Sequence, residues 1–569
     1  MGRPIIEEPV RKTLISPSAA WSQFLTVALT AASALFLAVV FYLPSASPLA
    51  WLALAPWLYS LKISSFRQAL GLSLLWGLVF HGLVNGWIVP TVQRLGPYTE
   101  TPQSPMLFWA VVAFLTVICY QSLYAVLFAL LVRALLRHGK GFLLAAGISA
   151  AWMLTEWLRC LGPFGYPWCL LASSQVNCLV ILQWLSVIGP FALGGLLVTM
   201  NALIVECLID RTVKPLMVAM ALLVLLLIGG WLQLQRSQQA ERRAPRMSVA
   251  AVQGGFGMER WLGDVSEAFL QEVLKEHLTL STKAAEKGAH LIVWSETAVP
   301  VIITPTNIAS PFFKELFQFL VRYKVFLIAG APTQENGLSY NAALGLWAEK
   351  GRVGELVAYR KVRLVPFGEY VPFSDRWSWL ADWIPHQEPQ TTPGKEVVPL
   401  SVGEEGRRVT VPVLICFESL FPQHLRQMFV KKVADDEPTL VAIITNDDWY
   451  RKGLAPYHHA RVAILRAVES QRAVVRAAGT GISLIVSPMG KVLAEAPMGS
   501  RQVLVQSVPV LSGRSLYYRL GDFPFVVLAV LVIGLCLMPR HYRAVALNWM
   551  REIVREHWRR GGNYNVRAC

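Results

Sequence analysis

A chain of 569 residues is too long for one ordinary domain, and only 15% of it is charged against 54% hydrophobic, well below the ~25% charged share of a soluble protein. With a mean hydropathy of +0.45, a membrane protein is the first expectation. The net charge of +16 does not point to nucleic acid, because the basic residues sit largely at the ends of apolar runs and in the tail. No basic stripe interleaved with aromatics and no nucleic-acid-binding module is present.

In chain order, residues 1–20 are polar and of mixed charge. The apolar run 21–43 is too long for a signal-peptide core and no small-residue cleavage site follows it at once, so it reads as a retained membrane helix. Further runs follow at 48–61, 68–90, 105–136, 141–158, 180–208 and 215–234. All but 48–61 approach the ~20 residues that cross a hydrocarbon layer; that run is short and contains proline. Residues 21–239 are thus expected to form membrane helices one to seven. Residues 521–539, with the run 523–538, form the eighth, and 540–569 a basic cytoplasmic tail lying on anionic lipid.

The Lys/Arg distribution sets an orientation. With the N-terminus in the cytoplasm, the cytoplasmic segments hold Arg3, Arg11, Lys12, Lys62, Arg67, Arg133, Arg137, Lys140, Arg211, Lys214, Arg540 and Arg543, whereas the opposite short loops hold little beyond Arg94 and Arg159. Segment 240–520 then falls outside the cytoplasm, in the periplasm of a Gram-negative cell. Two loops on that side stand out: Glu156-Trp-Leu-Arg159 with Gly162-Pro-Phe-Gly-Tyr-Pro-Trp168, and Asn85-Gly-Trp87. The first reads equally as an interfacial belt with a turn or as a lipid-binding element.

Segment 240–520 changes character. Strands are expected at 247–253, 290–294, 325–329, 341–347, 356–359, 409–415, 440–445 and 482–487, with amphipathic helices at 266–287, 311–323 and 457–474. Strands alternating with helices mean an α/β or layered αβ domain. Of the eight cysteines, Cys416 alone lies in this segment, so no disulfide forms within it. A pair among Cys160, Cys169 and Cys178 stays open. No CxxC or Cys/His spacing suits zinc. His458 and His459 are adjacent, so a helix sends them to different faces, and both read as helix-start or surface residues.

Three polar groups arrive directly after apolar strands: Glu296 in LIVWSETAVP (residues 291–300), Lys361 in YRKVRLVPFGEY (359–370) and Cys416 in VPVLICFESLFP (411–422). If those strands share one sheet, their ends form one edge where the side chains converge. The chemistry is complementary. A thiolate attacks an acyl carbonyl, a carboxylate takes and returns its proton, and an ammonium beside a backbone N–H stabilises the oxyanion.

These three motifs resemble the Glu, Lys and Cys motifs of the nitrilase (carbon–nitrogen hydrolase) superfamily. With the membrane runs, the chain closely resembles the bacterial apolipoprotein N-acyltransferases over nearly its whole length. Val252-Gln-Gly254, Trp261, Thr445-Asn-Asp-Asp-Trp-Tyr450, Arg466-Ala-Val-Glu469, Arg476, Thr480-Gly-Ile-Ser483, Glu156-Trp157, Phe164 to Trp168 and Asn201 extend the likeness. The resemblance implies a bundle of about eight membrane helices carrying a periplasmic α-β-β-α sandwich, in a bacterial inner membrane. It implies Glu296 as general base, Lys361 as oxyanion cation and Cys416 as nucleophile. Glu369 would be a second acid near the lysine, Glu418 the acid beyond the nucleophile, and Trp261 and Trp449 tryptophans near the lipid entrance. Phe417 and Asn446 flank the same site.

The implied reaction is transfer of an acyl chain from a membrane phospholipid, through a Cys thioester, to the N-terminal amine of a diacylglyceryl apolipoprotein. It needs no cofactor and no metal, and a monomer suffices. The alternative is a membrane-tethered amidase acting on a periplasmic amide. The chain departs from the family pattern at Ser295 (usually Pro), Phe417 (usually Tyr), Asp448 (Ala in NDAWFG), Gly255 and Gly479 (usually Asn).

Overall fold

The computed structural model describes residues 17–95, 103–257, 266–299, 301–304, 311–349, 352–353, 357–384, 390–403, 408–431, 437–450 and 453–539, with 541–543, 545, 548 and 552 beyond them. Most of the polar start, most of the basic tail and Trp261 lie outside these described residues.

The N-terminal part is helical: α1 Pro17–Tyr42, α2 Ala55–Ile63, α3 Phe66–Val84, α4 Ile88–Leu95, α5 Gln103–Leu135, α6 Gly141–Leu158, α7 Leu179–Leu182, α8 Leu185–Asp210 and α9 Lys214–Arg243. Among the described residues, six helices (α1, α3, α5, α6, α8 and α9) are long and apolar enough to cross a membrane. The run 48–61 is not one helix. A 3-10 segment, Pro44–Trp51, with Pro48 inside it, gives way to α2. Proline removes ladder donors, and a broken helix at membrane depth survives only if its freed backbone groups find partners. Asn201 of α8 supplies them. Its Oδ1 accepts from the Leu54 and Ala55 N–H groups at 2.9 Å each, and its Nδ2 donates to the Ala50 carbonyl at 3.1 Å.

The polar loop 156–168 also differs from a simple interfacial belt. Glu156 is buried in the bundle, where it accepts from the Leu171 N–H at 2.8 Å and lies 3.5 Å from Arg159. The Tyr166 hydroxyl donates to Asn85 Oδ1 at 2.6 Å and Trp168 Nε1 to the Val84 carbonyl at 3.1 Å, so the loop folds over the end of α3. Cys160, Cys169 and Cys178 are free thiols.

The second part has fifteen described strands, with helices between them: β1 Arg246–Gln253, α10 Glu267–Glu286, β2 Leu291–Val293, α11 Pro311–Tyr323, β3 Phe326–Glu335, β4 Leu338–Leu346, β5 Ala348–Glu349, β6 Arg352–Val353, β7 Val357–Arg360, α12 Trp379–Trp383, β8 Leu400–Val402, β9 Val409–Val411, β10 Val413–Ile415, α13 Pro422–Val430, β11 Val441–Thr445, α14 Ala455–Ser470, β12 Val474–Ala478, β13 Ser483–Val486, β14 Val492–Ala496 and β15 Gln502–Pro509. After α15 (Leu516–Leu520), the short apolar α16 (Phe523–Leu537) rejoins the bundle.

Two sheets form, in the orders β15-β1-β2-β3-β4-β7 and β10-β11-β12-β13-β14. Alternation along β1 and β2 decides the layering. Val249, Ala251, Leu291 and Val293 join Leu414, Ile443 and Val475 of the second sheet in one core. Their neighbours Ala250, Val252 and Ile292 pack with Leu274, Leu280, Phe313 and Leu316 of α10 and α11. Leu425 and Met428 of α13 and Ala463 and Ala467 of α14 belong to the core around the second sheet. The result is the four-layer α-β-β-α sandwich.

Several expected elements change. Run 409–415 is two strands interrupted at Pro412, with β9 in a small ladder with β8 and β10 at the edge of the second sheet. Proline cannot donate to a ladder, which divides the run there. The expected helix 457–474 ends at Ser470, where Gln471 turns left-handed at φ 53°, and β12 follows. Strands β12, β14 and β15 were not expected because charged or polar residues interrupt their apolar pattern.

Candidate active site

Topology brings the three motif residues together, but not along one sheet as the sequence suggested. β2 is parallel to β3, and β3 to β4 and β4 to β7 are both antiparallel. Two reversals leave β2 and β7 pointing the same way, so Glu296 and Lys361 emerge at one edge of the first sheet. Cys416 follows β10 of the second sheet, parallel to β11, whose end delivers Asn446 and Asp447. The site therefore lies across the mouth of the sandwich.

Glu296 is held from both sheets. Its Oε2 accepts the Asn446 N–H at 2.8 Å, and its Oε1 accepts from Asn341 Nδ2 at 2.8 Å and from Lys361 Nζ at 3.4 Å. Lys361 is 1% exposed. Its Nζ donates to Glu369 Oε1 at 2.8 Å. Burial pulls its ammonium down, but Glu369 and Glu296 outweigh that and hold it protonated, well above the usual lysine value. Glu369 is anchored in turn by the Val365 N–H on Oε2 at 2.7 Å.

Cys416 opens a 3-10 turn, Cys416–Leu420, and adopts φ 50°. A non-glycine residue in the left-handed region costs about 1–3 kcal/mol and persists only where its surroundings impose it. Burial raises its thiol well above the ordinary value; Glu296 and Asp447 act in the same direction, and Lys361 opposes them. Glu418 is structural support for this turn. It is wholly buried, with Oε2 accepting the Ile415 N–H at 2.9 Å and Oε1 accepting from Val362 N–H at 2.7 Å and Tyr359 hydroxyl at 2.8 Å. It thereby ties the Cys416 turn to the segment just beyond Lys361.

Phe417 is half-buried and meets Phe421 edge-on at 5.1 Å. Trp449 is half-buried, and its carbonyl accepts from Thr91 Oγ1 of α4 at 2.9 Å. Two positions where the chain departs from the family pattern are neighbours: a Cβ at Gly479 would lie 3.7 Å from Ser295 Oγ and 3.6 Å from Asn446 Oδ1.

The structure adds residues that the sequence did not assign. Asn341, a polar residue inside an apolar strand, bridges Glu296 and Glu369, donating to the latter at 3.2 Å. Asp447 accepts from Arg476 Nη2 at 2.5 Å and faces His459 Nδ1 at 2.9 Å. Burial opposes its ionisation, but Arg476 and His459 overcome this and hold it well below the usual carboxylate range. His458 and His459 are both buried, not at the surface, because α14 lies between the sandwich and the bundle. His458 faces the Phe41 carbonyl of α1 at 2.9 Å, and burial lowers its imidazole to about 4. Among the described residues, no group of His, Cys, Asp and Glu is suited to hold a metal ion.

Comparison with known proteins separates the same two parts. The carbon-nitrogen hydrolase family model matches residues 248–517, and the model of the apolipoprotein N-acyltransferase N-terminal domain matches residues 33–203. The apolipoprotein N-acyltransferase of Gloeobacter violaceus is 31% identical over 86% of this chain and 89% of its own. This chain belongs to the apolipoprotein N-acyltransferase family. The Geobacter metallireducens member is 29% identical over 86% of this chain and 90% of its own. A crystallised amidase from Nesterenkonia sp. aligns with 47% of this chain and 92% of its own at 19% identity, with a TM-score of 0.32. The family includes the membrane part, which an amidase on a soluble substrate does not require.

Proposed function

We propose that this membrane protein N-acylates apolipoproteins in two steps through Cys416. In the first, Glu296 takes the Sγ proton as sulfur bonds to the ester carbonyl carbon of a phospholipid. The carbonyl electron pair moves onto oxygen, where the Lys361 ammonium and the Phe417 N–H stabilise it. Collapse breaks the C–O bond, and the departing lysophospholipid oxygen takes the proton back from Glu296. In the second step, the α-amine of a diacylglyceryl-cysteine attacks the thioester and gives a proton to Glu296. The C–S bond breaks, and sulfur recovers the proton.

The observation that carries this reading is the buried left-handed Cys416 facing a lysine held cationic between two carboxylates, within a membrane-bound family member. Asn446 and Asn341 aim the Glu296 carboxylate; Glu369 and Glu418 position Lys361 and the nucleophile turn. The Lys/Arg bias of the short loops supports the sandwich standing on the periplasmic side, where both lipid substrates reach it from the outer leaflet of the inner membrane. Replacing Cys416 by Ala tests the assignment. In cells with no other such enzyme, the variant is expected to abolish lipoprotein N-acylation, and mass spectrometry of the wild-type protein to find a fatty-acyl mass on the Cys416 peptide. Normal N-acylation by the variant would overturn it.

A further inference from the structure

His459 has no part in the two-step scheme, yet it is wholly buried directly behind the nucleophile. Its Nδ1 lies 2.9 Å from Asp447 Oδ1, and its Nε2 lies 3.2 Å from the Cys416 carbonyl oxygen and 3.0 Å from Ser419 Oγ. The Ser419 hydroxyl donates to the same Cys416 carbonyl at 2.7 Å. Nδ1 therefore lies against the carboxylate, and Nε2 faces the Ser419 hydroxyl and the Cys416 carbonyl together. Arg476 Nη2 donates to the other Asp447 oxygen at 2.5 Å and lies 3.4 Å from Nδ1.

A trans peptide is rigid and planar, with its C=O and N–H antiparallel. The far side of the Cys416 carbonyl is the Phe417 N–H, the backbone donor of the oxyanion hole. Hydrogen bonds accepted by one end of a peptide strengthen donation from the other, most where the local dielectric is low. Both the ring and the Ser419 hydroxyl load that carbonyl, with Asp447 and Arg476 behind the ring.

We propose that His459, oriented by Asp447 and assisted by Ser419, is a positioning residue that polarises the Cys416–Phe417 peptide and so strengthens its N–H toward the acyl oxyanion. It touches no substrate and acts only through that peptide. This inference rests on Cys416 being the nucleophile.

Two reactions of the same thiol separate this role from simple support of the turn. Acylation by a phospholipid builds an oxyanion; alkylation by iodoacetamide, at a saturated carbon, does not. The full-length protein in a phosphatidylethanolamine–phosphatidylglycerol bilayer is followed for acyl-Cys416 formation in one turnover, and separately for alkylation. His459→Ala is expected to slow acylation about tenfold and leave alkylation within about twofold. His459→Gln, which keeps an N–H toward the carbonyl, recovers part of the loss. Ser419→Ala removes only the other donor, and its small volume change keeps the test open if the histidine variants do not fold; it is expected to slow acylation about threefold with alkylation unchanged. Equal losses in both reactions, or no loss in acylation, would overturn the proposal. Cys416→Ala run alongside keeps the foundation separate: an acyl label persisting on that variant removes the nucleophile itself, whatever His459 does.

Discussion

Cys416 rests as a protonated thiol, because burial and then Glu296 raise it, with Lys361 only partly compensating. In the proposed mechanism a base is therefore required at neutral pH, and Glu296 is the residue proposed to serve. Glu296→Gln removes the base and also one of the negative charges that raise the thiol. Turnover is expected to fall about 10²–10⁴-fold, while iodoacetamide alkylation of Cys416 at pH 9 stays equal or rises. A parallel fall in alkylation would mean that Glu296 holds the turn and does not take the proton. Glu418 gives a pH signature of another kind. Burial opposes its charge, but His424 and the Ile415 and Val362 N–H groups hold it below its ordinary value. A folded pKa below the unfolded ~4.3 means its stabilisation is complete above that pH and is lost as pH falls through the folded value. Glu418→Gln places an amide N–H₂ against existing donors. It is expected to cost about 2–3 kcal/mol at pH 7 and to flatten the loss of melting temperature below pH 4, as thermal unfolding across pH would record. Cys416 and Glu296 were legible because each follows an apolar run with a reactive group, and Glu418 through the family resemblance. His459 was not: two adjacent histidines give no periodic signal, and burial by a second domain is invisible in a local pattern.

Among the elements, β3 sets the position of Glu296, the proposed base, more than the sequence suggested. A Cβ on Gly330 would lie 2.6 Å from Glu296 Cα, Ser295 O and Thr297 N. All three are backbone atoms, and the Gly330 N–H also donates to the Ser295 carbonyl at 3.1 Å. The loop carrying Glu296 thus packs directly on the glycine and has no flexible side chain that can yield. Gly330→Ala is expected to cost about 1–3 kcal/mol by overpacking. It should also cut acyl transfer about a hundredfold by displacing the carboxylate roughly 1 Å, read as activity at a temperature where the variant is still folded. Gly534→Ala on α16, where nothing lies within 4 Å of the added Cβ, should leave both unchanged. Of the elements themselves, the strands buried on both faces were visible as continuous apolar runs. β12 was not, because the expected helix 457–474 ran into its start and Arg476 interrupts its apolar pattern; the Arg476 side chain enters the interior to meet Asp447. Nor does a run of apolar residues announce that Pro412 splits it between two sheets.

At the scale of the whole molecule, the bundle and the sandwich meet at several places, and one of them, the turn that follows β11, adjoins the immediate neighbourhood of the site. Tyr450 meets Trp87 edge-on at 4.8 Å, and its ring centroid lies 6.2 Å from that of Trp168. Trp449 O accepts from Thr91, while Arg461 Nη1 donates to the Phe41 carbonyl at 2.8 Å. Two parts were evident from hydropathy and period alone, but this joint was not, since it pairs residues hundreds of positions apart. Its consequence is a mechanical link from α4 to Asn446, the residue that donates to Glu296. A double-mutant cycle on Trp87→Ala and Tyr450→Ala isolates the link. Edge-to-face aromatic pairs are worth about 0.5–1.5 kcal/mol beyond the area they bury, so the two substitutions should be less costly together than the sum of each alone by about that amount, in thermal unfolding of the bilayer-embedded protein. The same non-additivity should appear in the rate of Cys416 acylation, because either truncation alone already frees the turn that aims Asn446. Additive losses in the rate would show that the bundle holds the sandwich without setting the geometry of its site.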